Sequence, residues 1–171
     1  MSQESALSLT YRIVPAQRPV DGVPPPGLLL LHGRGADELD LLGLAAALDP
    51  RRLYLLGFSQ GAVMAGGLAL TMPERVAGAV LLSGYLPLQQ ELPVREAALR
   101  GLPVFVGHGL YDDVIPVRHG HEARDYLTRV GADLTYREYP LPHIIGEEEL
   151  AEVAAWLTAR LDGPARSEEQ P

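Results

Sequence analysis

Apolar residues in this chain occur in two alternating patterns: short unbroken runs, and longer stretches in which they recur every three or four positions. Leu7 to Val14 alternates apolar and polar residues, which predicts a strand with one solvated face near a sheet edge. Pro19 to Gly27 is a loop, because Pro24, Pro25 and Pro26 have no N–H to give to a ladder. The run Leu28–Leu31 predicts a strand buried on both faces, ending in the Gly-rich turn His32-Gly33-Arg34-Gly35. A helix over 37–48 follows, with Asp37 as its N-cap, an apolar stripe through Leu39, Leu42, Leu44, Ala45 and Leu48, and a stop at Asp49-Pro50.

The same alternation continues to the end of the chain. Strands are expected over Leu53–Leu56, Val76–Leu82, Pro103–Val106 and Leu134–Tyr139. Helices are expected over Gln60–Thr71, stopped by Met72-Pro73, over Val117–Val130, closed by Gly131, and over Glu147–Leu161, with acids in its first turn. A short helix is expected over Val94–Leu99, between Pro93 and Gly101. Residues 1–6 and 163–171 are polar and expected to be flexible. Strands alternating with helices predict one α/β domain over residues 1–171, with a mostly parallel sheet covered on both faces. No repeat of 20 to 50 residues interrupts that plan.

Composition narrows the function classes. A formal net charge of −8 disfavours nucleic acid and anionic membrane surfaces, which select clustered positive charge, and points to a neutral or small substrate. The absence of cysteine removes disulfides, thiol catalysis and thiolate metal sites. No basic segment followed by an apolar run opens the chain, and no apolar stretch is long enough to span a bilayer, so the expectation is a cytoplasmic protein without integral membrane contact.

Chemistry concentrates where the strands end, the side of an open parallel sheet on which reacting groups collect. Gly57-Phe58-Ser59-Gln60-Gly61 lies between a predicted strand and a predicted helix, the context in which G-x-S-x-G raises a serine on a tight turn. Ser59 is therefore the candidate nucleophile. A serine hydroxyl needs a base, and the base needs a carboxylate to fix its tautomer and stabilise its charged form. His32 and His108 each precede a glycine at a strand end and are expected to brace turns, while His119 and His121 fall on different faces of one helix. His143, in the loop after the last strand, is the best base, and the acid is Asp112 or Asp113. The order serine, aspartate, histidine fits the α/β-hydrolase template, in which the backbone N–H groups of Gln60 and Arg34 would form the oxyanion hole.

Five ordered segments carry a resemblance over nearly the whole chain: Leu-Leu-His32-Gly-Arg-Gly-Ala-Asp37, Gly57-Phe-Ser59-Gln-Gly, Leu-Leu-Ser83-Gly-Tyr-Leu-Pro87, His108-Gly-Leu-Tyr-Asp112-Asp-Val-Ile-Pro116 and Tyr139-Pro-Leu-Pro-His143. Together they resemble the phospholipase/carboxylesterase family of α/β hydrolases, which includes the acyl-protein thioesterases. The family pattern H-G-x-x-D-x-V-x-P selects Asp112 over Asp113. The resemblance implies hydrolysis of small or medium acyl esters or thioesters by Ser59, His143 and Asp112 through an acyl-enzyme, with no cofactor and no metal. It also implies a homodimer, since many members form one.

Two departures stand out. Pro142 precedes His143 where the family has glycine, and only Asp49-Pro50-Arg51 joins the predicted helix 37–48 to the nucleophile strand, where the family has a further strand, a channel loop and a helix. The fold is then shortened by about one strand and one helix. Right-handed crossover favours moving helix 37–48 to the opposite face. Otherwise the sheet is rearranged or completed by a second chain, or a segment of the active relatives is missing. The alternative function is accordingly a catalytically impaired relative acting as a binding or oligomerisation module.

Overall fold

The computed structural model describes residues 27–32 and 53–161. The expectations for the strand at 7–14, the Pro-rich loop before Gly27, the Arg34 turn, the helix over 37–48 and the residues after Leu161 lie outside the described residues.

Five strands form one sheet: β1 (Gly27–His32), β2 (Leu53–Phe58), β3 (Gly78–Leu82), β4 (Pro103–Gly109) and β5 (Asp133–Tyr139). They lie in the order β1-β2-β3-β4-β5, every neighbouring pair parallel. Helix α1 (Gln60–Thr71) links β2 to β3, α2 (Arg118–Arg129) links β4 to β5, and α3 (Glu147–Leu161) follows β5. This is the α/β plan expected from the alternation of patterns, with the α1, α2 and α3 boundaries within one residue of expectation.

Side-chain alternation along the strands divides the core. Leu31, Leu53, Leu55, Ala79, Leu81, Val104 and Val106 pack on one face with Ala65 and Leu68 of α1 and Ala123 and Leu127 of α2. Tyr54, Val80, Leu82 and Phe105 face the other way, against Val153, Trp156 and Leu157 of α3. Helices therefore cover both faces of β2, β3 and β4, which is why these strands read as continuous apolar runs, whereas Leu28 and Leu30 of β1 are exposed and the expectation of a strand buried on both faces there is not met. Helix α1 is buried from Gly61 through Leu70, consistent with its apolar and small residues on all sides.

Several boundaries shift: β1 and β5 gain a residue or two at their ends and β2 runs on through Phe58. β4 continues past Val106 through Gly109, because Gly107, His108 and Gly109 pair with Arg137, Glu138 and Tyr139 of β5. β3 starts at Gly78, two residues late, and the short helix after Pro93 is a 3-10 turn over Glu96–Leu99. The parallel register aligns Phe58 with Leu82, Leu82 with Gly107 and Gly109 with Tyr139, so the carboxyl ends of β2 to β5 form one rim.

Candidate active site

Ser59 stands on that rim between β2 and α1, with φ 56° and ψ −123°, in the left-handed region that non-glycine residues rarely occupy. Its amide donates to the Leu82 carbonyl at 2.9 Å and its carbonyl accepts from Ala62 N at 3.0 Å, which fastens the turn to β3 and to the helix start. Gly57 makes the turn sterically accessible: a Cβ there would sit 2.1 Å from the Gly61 carbonyl oxygen. Gln60 is the first residue of α1, where an N–H has no carbonyl one turn back, so its amide is available beside the serine.

The loop after β5 carries His143 to the same point. Its Nε2 lies 2.9 Å from Ser59 Oγ, and its Nδ1 lies 2.7 Å from Asp112 Oδ2. A carboxylate oxygen only accepts, so Nδ1 holds the ring proton and Nε2 is left as the acceptor for the serine hydroxyl. The Phe58 ring lies against the imidazole, centroids 4.8 Å apart and planes tilted by 37°. Asp112 is buried, and its second oxygen, Oδ1, accepts from Val114 N at 3.0 Å and Ile115 N at 2.8 Å. Burial alone would push this carboxyl up. The hydrogen bonds from His143, Ile115 and Val114 outweigh it and hold the group below the usual carboxylate range.

The five candidate residues thus divide. Ser59, Asp112 and His143 converge in one hydrogen-bonded line, Gln60 sits beside them, and Arg34 lies outside the described residues. Asp113 is exposed and takes no part in that line. Of the remaining histidines, His108 is buried within β4, His119 lies 3.1 Å from Glu122, and His121 lies 2.7 Å from Glu138. Among the described residues no group of three His, Asp or Glu side chains is placed to hold a metal ion. Exposed apolar side chains crowd the two site loops: Leu110, Tyr111 and Val114 around Asp112, and Ile144 and Ile145 after His143.

Sequence reasoning missed Phe58 as a neighbour of His143. A signal existed, since it occupies the variable position before the serine at the end of β2. It also missed Glu149, buried on α3 with Oε1 unpartnered among the described residues. The signal there was its place in the first turn of a helix, three residues after Gly146.

The model of a family described as Phospholipase/Carboxylesterase matches residues 42–161. A "Probable carboxylesterase SOBER1-like" of Arabidopsis thaliana is 27% identical over 156 residues, covering 83% of this chain and 60% of that protein. An "Acyl-protein thioesterase 1" of Gibberella zeae is 34% identical over 116 residues, 66% of this chain and 49% of the relative. Among solved structures, esterase PE8 superposes with a TM-score of 0.61 at 32% identity over 71% of this chain and 57% of that one. A carboxylesterase of Bacillus cereus, at 21% identity, shares the fold with a TM-score of 0.65 over 80% of this chain and 89% of that one. The chain thus spans about half to three fifths of the length of the curated relatives it matches.

Proposed function

The chain belongs to the phospholipase/carboxylesterase family, and on that premise we propose that it is a serine carboxylesterase acting on small or medium acyl esters or thioesters. The observation that carries the reading is the unbroken line Ser59 Oγ, His143 Nε2, His143 Nδ1, Asp112 Oδ2, with separations of 2.9 and 2.7 Å at its two hydrogen bonds.

Catalysis runs as follows in this reading. His143 Nε2 takes the proton from Ser59 as Oγ attacks the acyl carbon, and Asp112 stabilises the imidazolium without accepting its proton. The developing oxyanion meets the Gln60 N–H and, in the expected arrangement, the Arg34 N–H. Collapse of the tetrahedral intermediate expels the alcohol or thiol, which receives its proton from His143. Water then repeats the sequence in reverse roles, releasing the acid and free Ser59. Exposed Leu110, Tyr111, Val114, Ile144 and Ile145 give the mouth of the site an apolar character suited to an acyl chain.

The second reading, a binding or oligomerisation module on an impaired hydrolase frame, is motivated by the three-residue join Asp49-Pro50-Arg51, where the family has a further strand, a channel loop and a helix. Turnover of a series of aryl esters of increasing acyl length separates the two. Hydrolysis that disappears in Ser59→Ala supports the esterase; a folded chain that turns over none of the series supports the module.

A further inference from the structure

His108 takes no part in the chemistry just described, yet it is fully buried beside the acid. Its Nε2 lies 2.7 Å from the Ile115 carbonyl oxygen. A carbonyl only accepts, so Nε2 carries the ring proton and Nδ1 is a bare acceptor. That acceptor has no partner among the described residues. Gly120 of α2 lies flat on the ring, where a Cβ would come within 3.0 Å of Nδ1 and 3.1 Å of Cγ. Burial holds the ring below its ordinary pKa, against the pull of the Ile115 hydrogen bond and the Asp112 charge, so it stays neutral.

The neutral ring is tied to Asp112 through one residue. The Ile115 carbonyl accepts from His108, while the Ile115 amide donates to Asp112 Oδ1 at 2.8 Å. The same ring nitrogen lies 3.6 Å from Asp112 Oδ2, the oxygen that holds His143. That is too long for a hydrogen bond, but it sets a neutral, polar ring beside the anionic oxygen without offering a second charge. A protonated ring there would compete with His143 for the carboxylate. A ring that only filled space would be replaceable by phenylalanine.

We propose that His108 is a positioning residue for the acid: its neutral Nε2–H, acting through the Ile115 carbonyl, fixes the 112–115 turn that aims Asp112 at His143. The proposal rests on the esterase reading for its effect on rate, but not for its effect on the His143–Asp112 hydrogen bond. Three substitutions isolate the donor. In His108→Gln the amide N–H reaches the place of Nε2; in His108→Asn it reaches only the place of Nδ1; His108→Phe keeps volume without a donor.

The experiment measures aryl-ester kcat and KM across pH for the wild type and the three variants, the low-field proton resonance of the His143–Asp112 hydrogen bond, and the tautomer of His108 by nitrogen-15 labelling. His108→Asn and His108→Phe should lose about 100-fold in kcat, the scale of misplacing a catalytic group by roughly an ångström, with KM changed less than about threefold. In both, the low-field resonance should vanish. His108→Gln should recover all but about tenfold of kcat and retain the resonance. His108 itself should be the neutral Nε2–H tautomer at neutral pH. His108→Gln no better than His108→Asn, or His108→Phe with wild-type kcat and resonance, would overturn the proposal. If the wild type hydrolyses no ester but the resonances follow this pattern, the esterase reading falls and the positioning role stands.

Discussion

The two oxygens of Asp112 have separate duties. Oδ1 is saturated by the Val114 and Ile115 amides, which leaves Oδ2 directed at His143. In Asp112→Asn the amide oxygen can keep the backbone pair, but the NH2 then faces His143 Nδ1 and forces the wrong tautomer. We expect kcat to fall by about 10⁴-fold with little loss of folded stability, read from steady-state kinetics beside a thermal melt. A loss of turnover that tracked a loss of stability would contradict this. Much of the candidate site's geometry was legible in the sequence. That Ser59, Asp112 and His143 come together could be anticipated because each follows a strand, and neighbouring strand ends of a parallel sheet lie on one rim. Choosing Asp112 over Asp113 required the family pattern, and the physical reason appears only in the fold: one carboxylate is buried against two amides while its neighbour is exposed. The Phe58–His143 contact joins residues 85 positions apart, so no local pattern encodes it.

At the scale of elements, the strand–turn–helix around Ser59 carries backbone strain. Its left-handed serine persists because the turn is bonded on one side to β3 and on the other to α1. Gly57→Ala would drive a methyl group into the Gly61 carbonyl, and backbone cannot give way as a flexible side chain does. The expected cost is about 3 kcal/mol or more, with turnover lost even in the folded fraction, checked by denaturant unfolding and by active-site titration. A variant with wild-type stability and activity would show that the turn is looser than described. Elements were read well where start and stop signals were strong: α1, α2 and α3 hold to within a residue because the Ser59 turn and Met72-Pro73 bound the first, Gly131 closes the second and an acidic first turn opens the third. They were read less well where pairing decides. Gly107-His108-Gly109 has little strand propensity, and the ladder to β5 makes it strand all the same. The side on which helix 37–48 lies is outside the described residues.

For the whole molecule, Glu149 couples the site's scaffold to pH. Burial raises its carboxyl to about 7, opposed in part by a hydrogen bond with the Gly146 backbone, so the native state binds a proton that the unfolded chain has already released. Stability from this group is therefore complete below the ordinary glutamate range, declines as pH rises, and is lost above about 7. The swing is roughly 1–3 kcal/mol, and Glu149→Gln should flatten it in urea melts taken across that window; an unchanged pH slope would exclude Glu149 as its source. The same carboxyl lies in the first turn of α3, the helix that follows the His143 loop. The fold class was legible from the alternation of runs and periodic stretches alone. Activity remains the central claim, since the chain spans only about half to three fifths of its curated relatives. The most direct test treats the intact chain with a fluorophosphonate and maps the adduct by peptide mass. A single adduct on Ser59 is expected, absent in Ser59→Ala and strongly slowed in His143→Ala. An adduct that persists in Ser59→Ala, or a folded chain that takes up no label, would contradict it.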